Sequence, residues 1–195
     1  MRIILASTSR YRRELVQRFK VPVESLAPPY DEDADKAAHA HLPIEELVTH
    51  LAKGKAASLA ALHPDALVIG SDQMGELDGQ RLGKPHTFEA ACAQLERMAG
   101  RAHRLHTAVA VHHGASGRVE VALDTHTMVM RPLTRDDVER YVRADDPIDC
   151  AGSYRVESLG IALFERVTGD DFTAVIGLPL TKTVTLLERF GQRVF

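Results

Sequence analysis

Apolar positions along the chain fall into short runs and helical stripes, separated by polar turns. Arg2–Ala6 is a run of strand length. The polar turn Ser7-Thr8-Ser9 follows it, and then Leu15, Val16 and Phe19 recur at helical spacing. This predicts a helix over 10–19 with Ser9 as its cap. Val21 to Leu26 reads as a second strand, and Pro28 to Asp33 as an acidic loop. The clearest helix spans 43–62, where Ile44, Leu47, Val48, Leu51, Ala52, Ala56, Leu59 and Leu62 share one face. Lys55 lies on that same stripe. Ala66 to Gly70 is an apolar strand ending at Ser71-Asp72-Gln73. Asp78-Gly79 suits a tight hairpin turn that returns the chain to Gly83-Lys84-Pro85.

Thr87 caps a predicted helix through Met98, and Thr134 another through Val142. Between them, 104–112 and 119–131 predict a strand pair joined by Gly114-Ala115-Ser116-Gly117. Residues 160–167 and 173–176 read as strands, and Pro179 opens a last helix through Arg189. Strands interleaved with helices predict an α/β fold, a mixed sheet flanked by helices. No repeat, linker or low-complexity tract divides the 195 residues, so a single domain over 1–195 is expected.

Composition adds little to this picture. The net charge of -3 gives no electrostatic case for binding nucleic acid or a membrane surface. Ile3 to Ala6 is too short for the apolar core of a signal peptide, and no run approaches a membrane span. Cys92 and Cys150 lie far apart with no CxxC spacing, which fits a reducing cytoplasm.

Several residues carry possible chemistry. Ser7-Thr8-Ser9 followed by Arg12 and Arg13 places hydroxyls and guanidinium forks at a strand-to-helix turn, a layout that suits an anion. The same residues also fit a plain helix with exposed arginines. Asp72 stands at the end of an apolar strand, where α/β folds commonly place sites, or it simply ends that strand in a turn. Lys55 can snorkel out of its apolar face. Lys84 sits on a stiff Gly-Lys-Pro turn, where lysines are commonly solvated. Of the ten histidines, His103 and His106 would project to opposite faces of a strand, as would His112 and His113, so neither pair predicts a metal site.

Taken in order, ASTSRYRR, LAKGKA, GSDQ, GKP, CAGSYRVESLG and VIGLPL together resemble the Maf family over nearly the whole chain. The resemblance implies an elongated α/β fold with a cleft between two lobes, and activity on nucleoside triphosphates with a divalent metal ion, Mg or Mn. Position by position, it makes Asp72 the proton acceptor. Ser7, Arg12, Arg13, Lys55 and Lys84 become the substrate-phosphate positions. Lys55 is preferred to Lys53 because it follows the LAxxKA spacing. Glu32 matches a further acidic position, which with Asp72 makes the candidate metal ligands. A homodimer is also implied.

Substrate choice in the family tracks three positions, here Tyr11, Gln73 and Glu157. They resemble the branch acting on 7-methyl-GTP rather than the branch with arginine, threonine and glutamine that prefers dTTP and UTP. Methylation at N7 makes guanine cationic. Tyr11 can attract that cation, and Glu157 can neutralise it while accepting from the guanine N1–H and amino group. The rival expectations are a dTTP/UTP pyrophosphatase of the same family, a non-catalytic nucleotide-binding regulator of septum formation, and a phosphate-binding structural protein.

Overall fold

The computed structural model describes residues 1–195. Its strands are β1 (Arg2–Ala6), β2 (Val23–Leu26), β3 (Ala66–Leu77), β4 (Gln80–Leu82), β5 (Ala102–His113), β6 (Arg118–Met130) and β7 (Phe164–Thr168). Its helices are α1 (Arg10–Val16), α2 (Glu32–Ala38), α3 (Ile44–Ala60), α4 (Phe88–Met98), α5 (Arg135–Asp145), α6 (Phe172–Ile176) and α7 (Leu180–Arg189). The strands form one seven-stranded sheet in the order β2-β1-β3-β5-β6-β7, with β4 paired to β3. β1 runs parallel to both β2 and β3, whereas β3–β4 and β6–β7 are antiparallel. The mixed α/β sheet read from the sequence is therefore the one observed.

By internal contacts the chain divides into two compact units. The first comprises Met1–Gln73, Thr107–Asp124 and Asp171–Phe195; the second comprises Met74–His106 and Thr125–Asp170. The core of the first follows strand alternation. Ile3 and Leu5, Leu67 and Ile69, and Val109 and Val111 share one cluster with Leu15, Val16, Leu186 and Leu187. Gly70 and Asp72 of β3 take the opposite face, against α3. There Gly70 packs so tightly that a Cβ would stand 2.2 Å from the Ala52 carbonyl oxygen and 2.7 Å from the Ala56 nitrogen. Only a residue without a side chain lets the helix settle this close to the strand.

In the second unit, Asp78 and Gly79 take φ values of 52° and 75° and close the β3–β4 hairpin, as the Asp-Gly pair predicts. His103, Tyr154 and Phe164 pack together there. The His103 Nε2 lies 2.9 Å from the Tyr154 hydroxyl, and the Tyr154 and Phe164 rings meet edge to face at 4.9 Å.

Four expectations need correction. Residues 173–176 are helical, because Asp171 caps them by accepting from the Thr173 N–H. Residues 159–163 form a 3₁₀ turn, so the strand there begins only at Phe164. The acidic loop is the start of a helix: Asp31 accepts from the Ala34 N–H and caps α2. Finally, β3 does not stop before Ser71 but runs to Leu77, which puts Asp72 in mid-strand. The polar residues suggested a turn, yet each has a packed partner that keeps the strand continuous. No helix is long and apolar enough to cross a membrane.

Candidate active site

Alternation along β3 decides where each polar side chain goes. Ser71 and Gln73 share the face of Leu67 and Ile69. The Ser71 hydroxyl lies 2.8 Å from the Ala108 carbonyl and 2.9 Å from that of Gly177. The Gln73 amide nitrogen donates to the carbonyls of Ala174 and Val175 at 2.8 and 3.0 Å, and to the Thr107 hydroxyl at 3.1 Å. Asp72 shares the face of Gly70 and points toward α3. It is 4% exposed.

Lys55 meets it there. Its stripe on α3 is otherwise apolar, and the residue is 6% exposed, so it does not snorkel to solvent. The ammonium sits 2.7 Å from Asp72 Oδ1 and 2.8 Å from Glu32 Oε2. An ammonium cannot be buried without partners, and two carboxylates satisfy it here. Lys53, two residues earlier, is exposed.

Arg12 adds a second cation. Its guanidinium Nε donates to the Gly177 carbonyl at 2.8 Å, and the charges of Asp72 and Glu32 act on it. Burial lowers the guanidinium's affinity for its proton, and those two carboxylates oppose the effect. The turn before it is held by its own hydroxyls: Ser7 Oγ accepts from the Ser9 N–H at 3.1 Å, and Ser9 Oγ caps α1. Arg13 lies on the exposed side of α1, and Tyr11 is half-buried with the Arg10 guanidinium 5.5 Å from its ring centroid.

The two carboxylates respond differently. Burial pushes Asp72 above the ordinary value of 3.8, with help from the Glu32 charge and against Lys55 and Arg12. Burial also works to raise Glu32, but Lys55, Arg12 and a hydrogen bond with Asp72 outweigh it and hold the carboxyl below 4.5. A less buried carboxylate that stays ionised next to a more buried one that binds its proton more tightly is an arrangement suited to proton transfer.

Asp72, Lys55, Glu32, Arg12, Arg13, Ser7, Tyr11 and Gln73 all belong to the first unit; Lys84 and Glu157, both exposed, belong to the second. Burial raises the thiols of Cys92 and Cys150, the latter to about 11, which disfavours the thiolate form. His103 and His106 take separate partners, His106 Nε2 lying 2.7 Å from Glu76.

A divalent cation at this site has Glu32 and Asp72 as hard oxygen donors, which suit Mg or Mn. The ammonium of Lys55 already lies between them, so a divalent cation would have to share these carboxylates with it.

A second group went unread in the sequence. Asp35, His39 and His50 bring one ligand atom each to within 4.8 Å of one another. Asp35 and His39 stand four residues apart, a helical repeat in a stretch for which the sequence predicted no element.

The model of the Maf-like protein family matches residues 2–190. A protein of Syntrophotalea carbinolica (strain DSM 2380 / NBRC 103641 / GraBd1), named 7-methyl-GTP pyrophosphatase, is 44% identical over 98% of this chain and 96% of its own. A protein of that name from Xanthomonas campestris pv. campestris (strain 8004) is 46% identical over 97% and 96%. One from Pseudomonas aeruginosa PAO1 is 44% identical over 98% of each. A HAM1 protein from Coxiella burnetii aligns over 68% of this chain and 74% of its own at 12% identity, with a TM-score of 0.43, too slight a likeness to bear on the fold.

Proposed function

Because the chain belongs to the Maf-like protein family, we propose that it is a nucleoside triphosphate pyrophosphatase whose substrate is 7-methyl-GTP. The products are 7-methyl-GMP and pyrophosphate. We read it as one functional domain over 1–195, cytoplasmic as its cysteine usage suggests and homodimeric as the family resemblance implies. The observation that carries the reading is the buried Asp72 carboxyl, raised by burial and flanked by Lys55, Glu32 and the charge of Arg12. A phosphate-binding structural protein has no use for a buried base, nor has a regulator that only binds.

In the proposed reaction Asp72 accepts a proton from water as the water oxygen bonds to the α-phosphorus. The bond from that phosphorus to the bridging oxygen breaks, and pyrophosphate leaves with the electron pair. Arg12, Arg13, Lys84 and the Ser7 turn neutralise and orient the phosphates. Lys55 keeps the two carboxylates from repelling each other and turns toward substrate oxygens as charge builds there. A bound Mg or Mn ion supplies Lewis acidity to the polyphosphate.

Selection of the base falls to Tyr11, Gln73 and Glu157. The Gln73 nitrogen is committed to α6, so its carbonyl oxygen is what it offers a purine edge. Glu157 neutralises the N7-methylated ring, and an uncharged pyrimidine would leave it unpaired. The proteins named 7-methyl-GTP pyrophosphatase at 44–46% identity support this choice. The test is turnover on 7-methyl-GTP, GTP, dTTP and UTP with product analysis. We expect 7-methyl-GTP to lead, and Glu157→Gln to narrow its advantage over GTP. A lead for dTTP or UTP defeats the substrate assignment, and no pyrophosphate from any nucleotide defeats the activity.

A further inference from the structure

We propose that Asp35, His39 and His50 form a binding site for one divalent transition-metal ion, of the zinc(II) or cobalt(II) type, distinct from the Asp72 centre. The His39 Nδ1 stands 2.9 Å from Asp35 Oδ1, and His50 Nε2 stands 2.8 Å from Asp35 Oδ2. The two imidazoles lie face to face, their centroids 4.0 Å apart and their planes tilted by 36°. Four-coordinate zinc holds its ligand atoms about 3.3 Å apart, so each carboxylate–imidazole contact would open by roughly half an ångström to admit the ion.

Two imidazoles with one carboxylate favour a borderline metal over Mg or Mn, which prefer an all-oxygen shell. Three protein ligands leave one position for water. All three side chains are partly exposed, and His50 also lines a cavity of about 490 Å³ with Glu45, Glu46 and Thr49, so an ion has a route in.

The outer partner is in place as well. The Tyr30 hydroxyl donates to Asp35 Oδ2 and fixes the carboxyl in place. Tyr30 is itself pinned: a Cβ on Gly54 would stand 2.5 Å from its ring. The ligands come from two helices, Asp35 and His39 from α2 and its C-cap, His50 from α3. A cation here staples α2 to α3. The same helices supply Glu32 and Lys55, yet binding draws on neither.

The test is titration of the full chain, freed of metal by a chelator, with cobalt(II). We expect one equivalent per chain to bind and give the visible absorption of a four-coordinate nitrogen–oxygen site, bleached by one equivalent of zinc(II). His39→Gln and His50→Gln each abolish it, while Asp72→Asn keeps it. Zinc at about 100 times its dissociation constant raises Tm by roughly 5–10 °C in the parent protein and not in His50→Gln. Carbethoxylation mapped by mass spectrometry reads the site without any variant: zinc shields His39 and His50. Absorption that survives both histidine substitutions, absence of stoichiometric binding, or unshielded histidines at saturating zinc overturns the proposal. None of these outcomes bears on nucleotide hydrolysis.

Discussion

Lys55 Nζ lies 2.7 Å from Asp72 Oδ1, joining the otherwise apolar stripe of α3 to β3. The contact neutralises a carboxylate that burial would otherwise make very costly to ionise. It also leaves that carboxylate with a raised proton affinity, as a base requires.

Replacing Asp72 by Asn keeps its shape and leaves Lys55 paired with Glu32. We expect kcat to fall by about 10²–10⁴-fold, the usual contribution of a positioned base. Nucleotide affinity, measured by calorimetry, changes little. Full turnover in a pyrophosphate-release assay rules out the proton-acceptor role.

Lys55→Met removes the shared cation and leaves two carboxylates facing each other. The expected loss of stability is about 3–5 kcal/mol, the scale for breaking a buried ion pair from one side. Urea unfolding of the variant checks it. A combined Lys55→Met and Asp72→Asn chain should recover part of the loss, because the buried charge is gone.

The acid limb of kcat/KM should titrate above 3.8, since burial raises Asp72, and should vanish in Asp72→Asn. Lys55→Met moves any residual limb upward, because Lys55 works to lower Asp72. The two carboxylates make opposite contributions to folding. Native Asp72 binds its proton more tightly than the unfolded chain does, so its contribution to stability falls as pH rises through the interval above 3.8. Glu32, lowered, contributes stability at neutral pH that is lost as pH falls below 4.5.

His103 gives a separate acid response in the second unit. Burial lowers its imidazole to about 4 from 6.5, so the unfolded chain binds the extra proton first. Stability should therefore decline as pH drops from 6.5 toward 4. His103→Gln should flatten that decline in acid-unfolding curves. An unchanged slope means the ring is not buried neutral.

Gly70→Ala tests the packing that brings Lys55 to Asp72. With the new Cβ 2.2 Å from a helix carbonyl, α3 must shift, at a cost of about 1–3 kcal/mol. Catalysis should fall as well, although Gly70 touches no substrate. A variant with parental Tm and turnover would show that α3 has room to spare.

Much of this was legible in the sequence. Thr87, Thr134 and Ser9 mark helix starts that the structure keeps, and Asp78-Gly79 marks the hairpin. The ordered motifs pointed to Lys55, Asp72 and Arg12, which the fold brings into one electrostatic group. What periodicity missed depends on tertiary partners. Ser71-Asp72-Gln73 reads as a turn because it is polar, yet Ala108, Lys55 and Ala174 satisfy those side chains inside the sheet. Helix α6 has five residues, too few for a helical stripe to show, and its β-branched Thr173, Val175 and Ile176 favour the strand reading. The Asp35–His39 pairing was hidden because α2 buries no residue and so leaves no apolar signature.

Since Asp72 and Gln73 leave β3 on opposite faces, an insertion of a single residue just before them would turn each to the other face. The carboxylate would then meet the carbonyls of α6, and the inserted residue would stand beside the ammonium in its stead. Changes of length in this segment are thus more damaging than most changes of identity, and any that survive must come in pairs or be absorbed by a bulge.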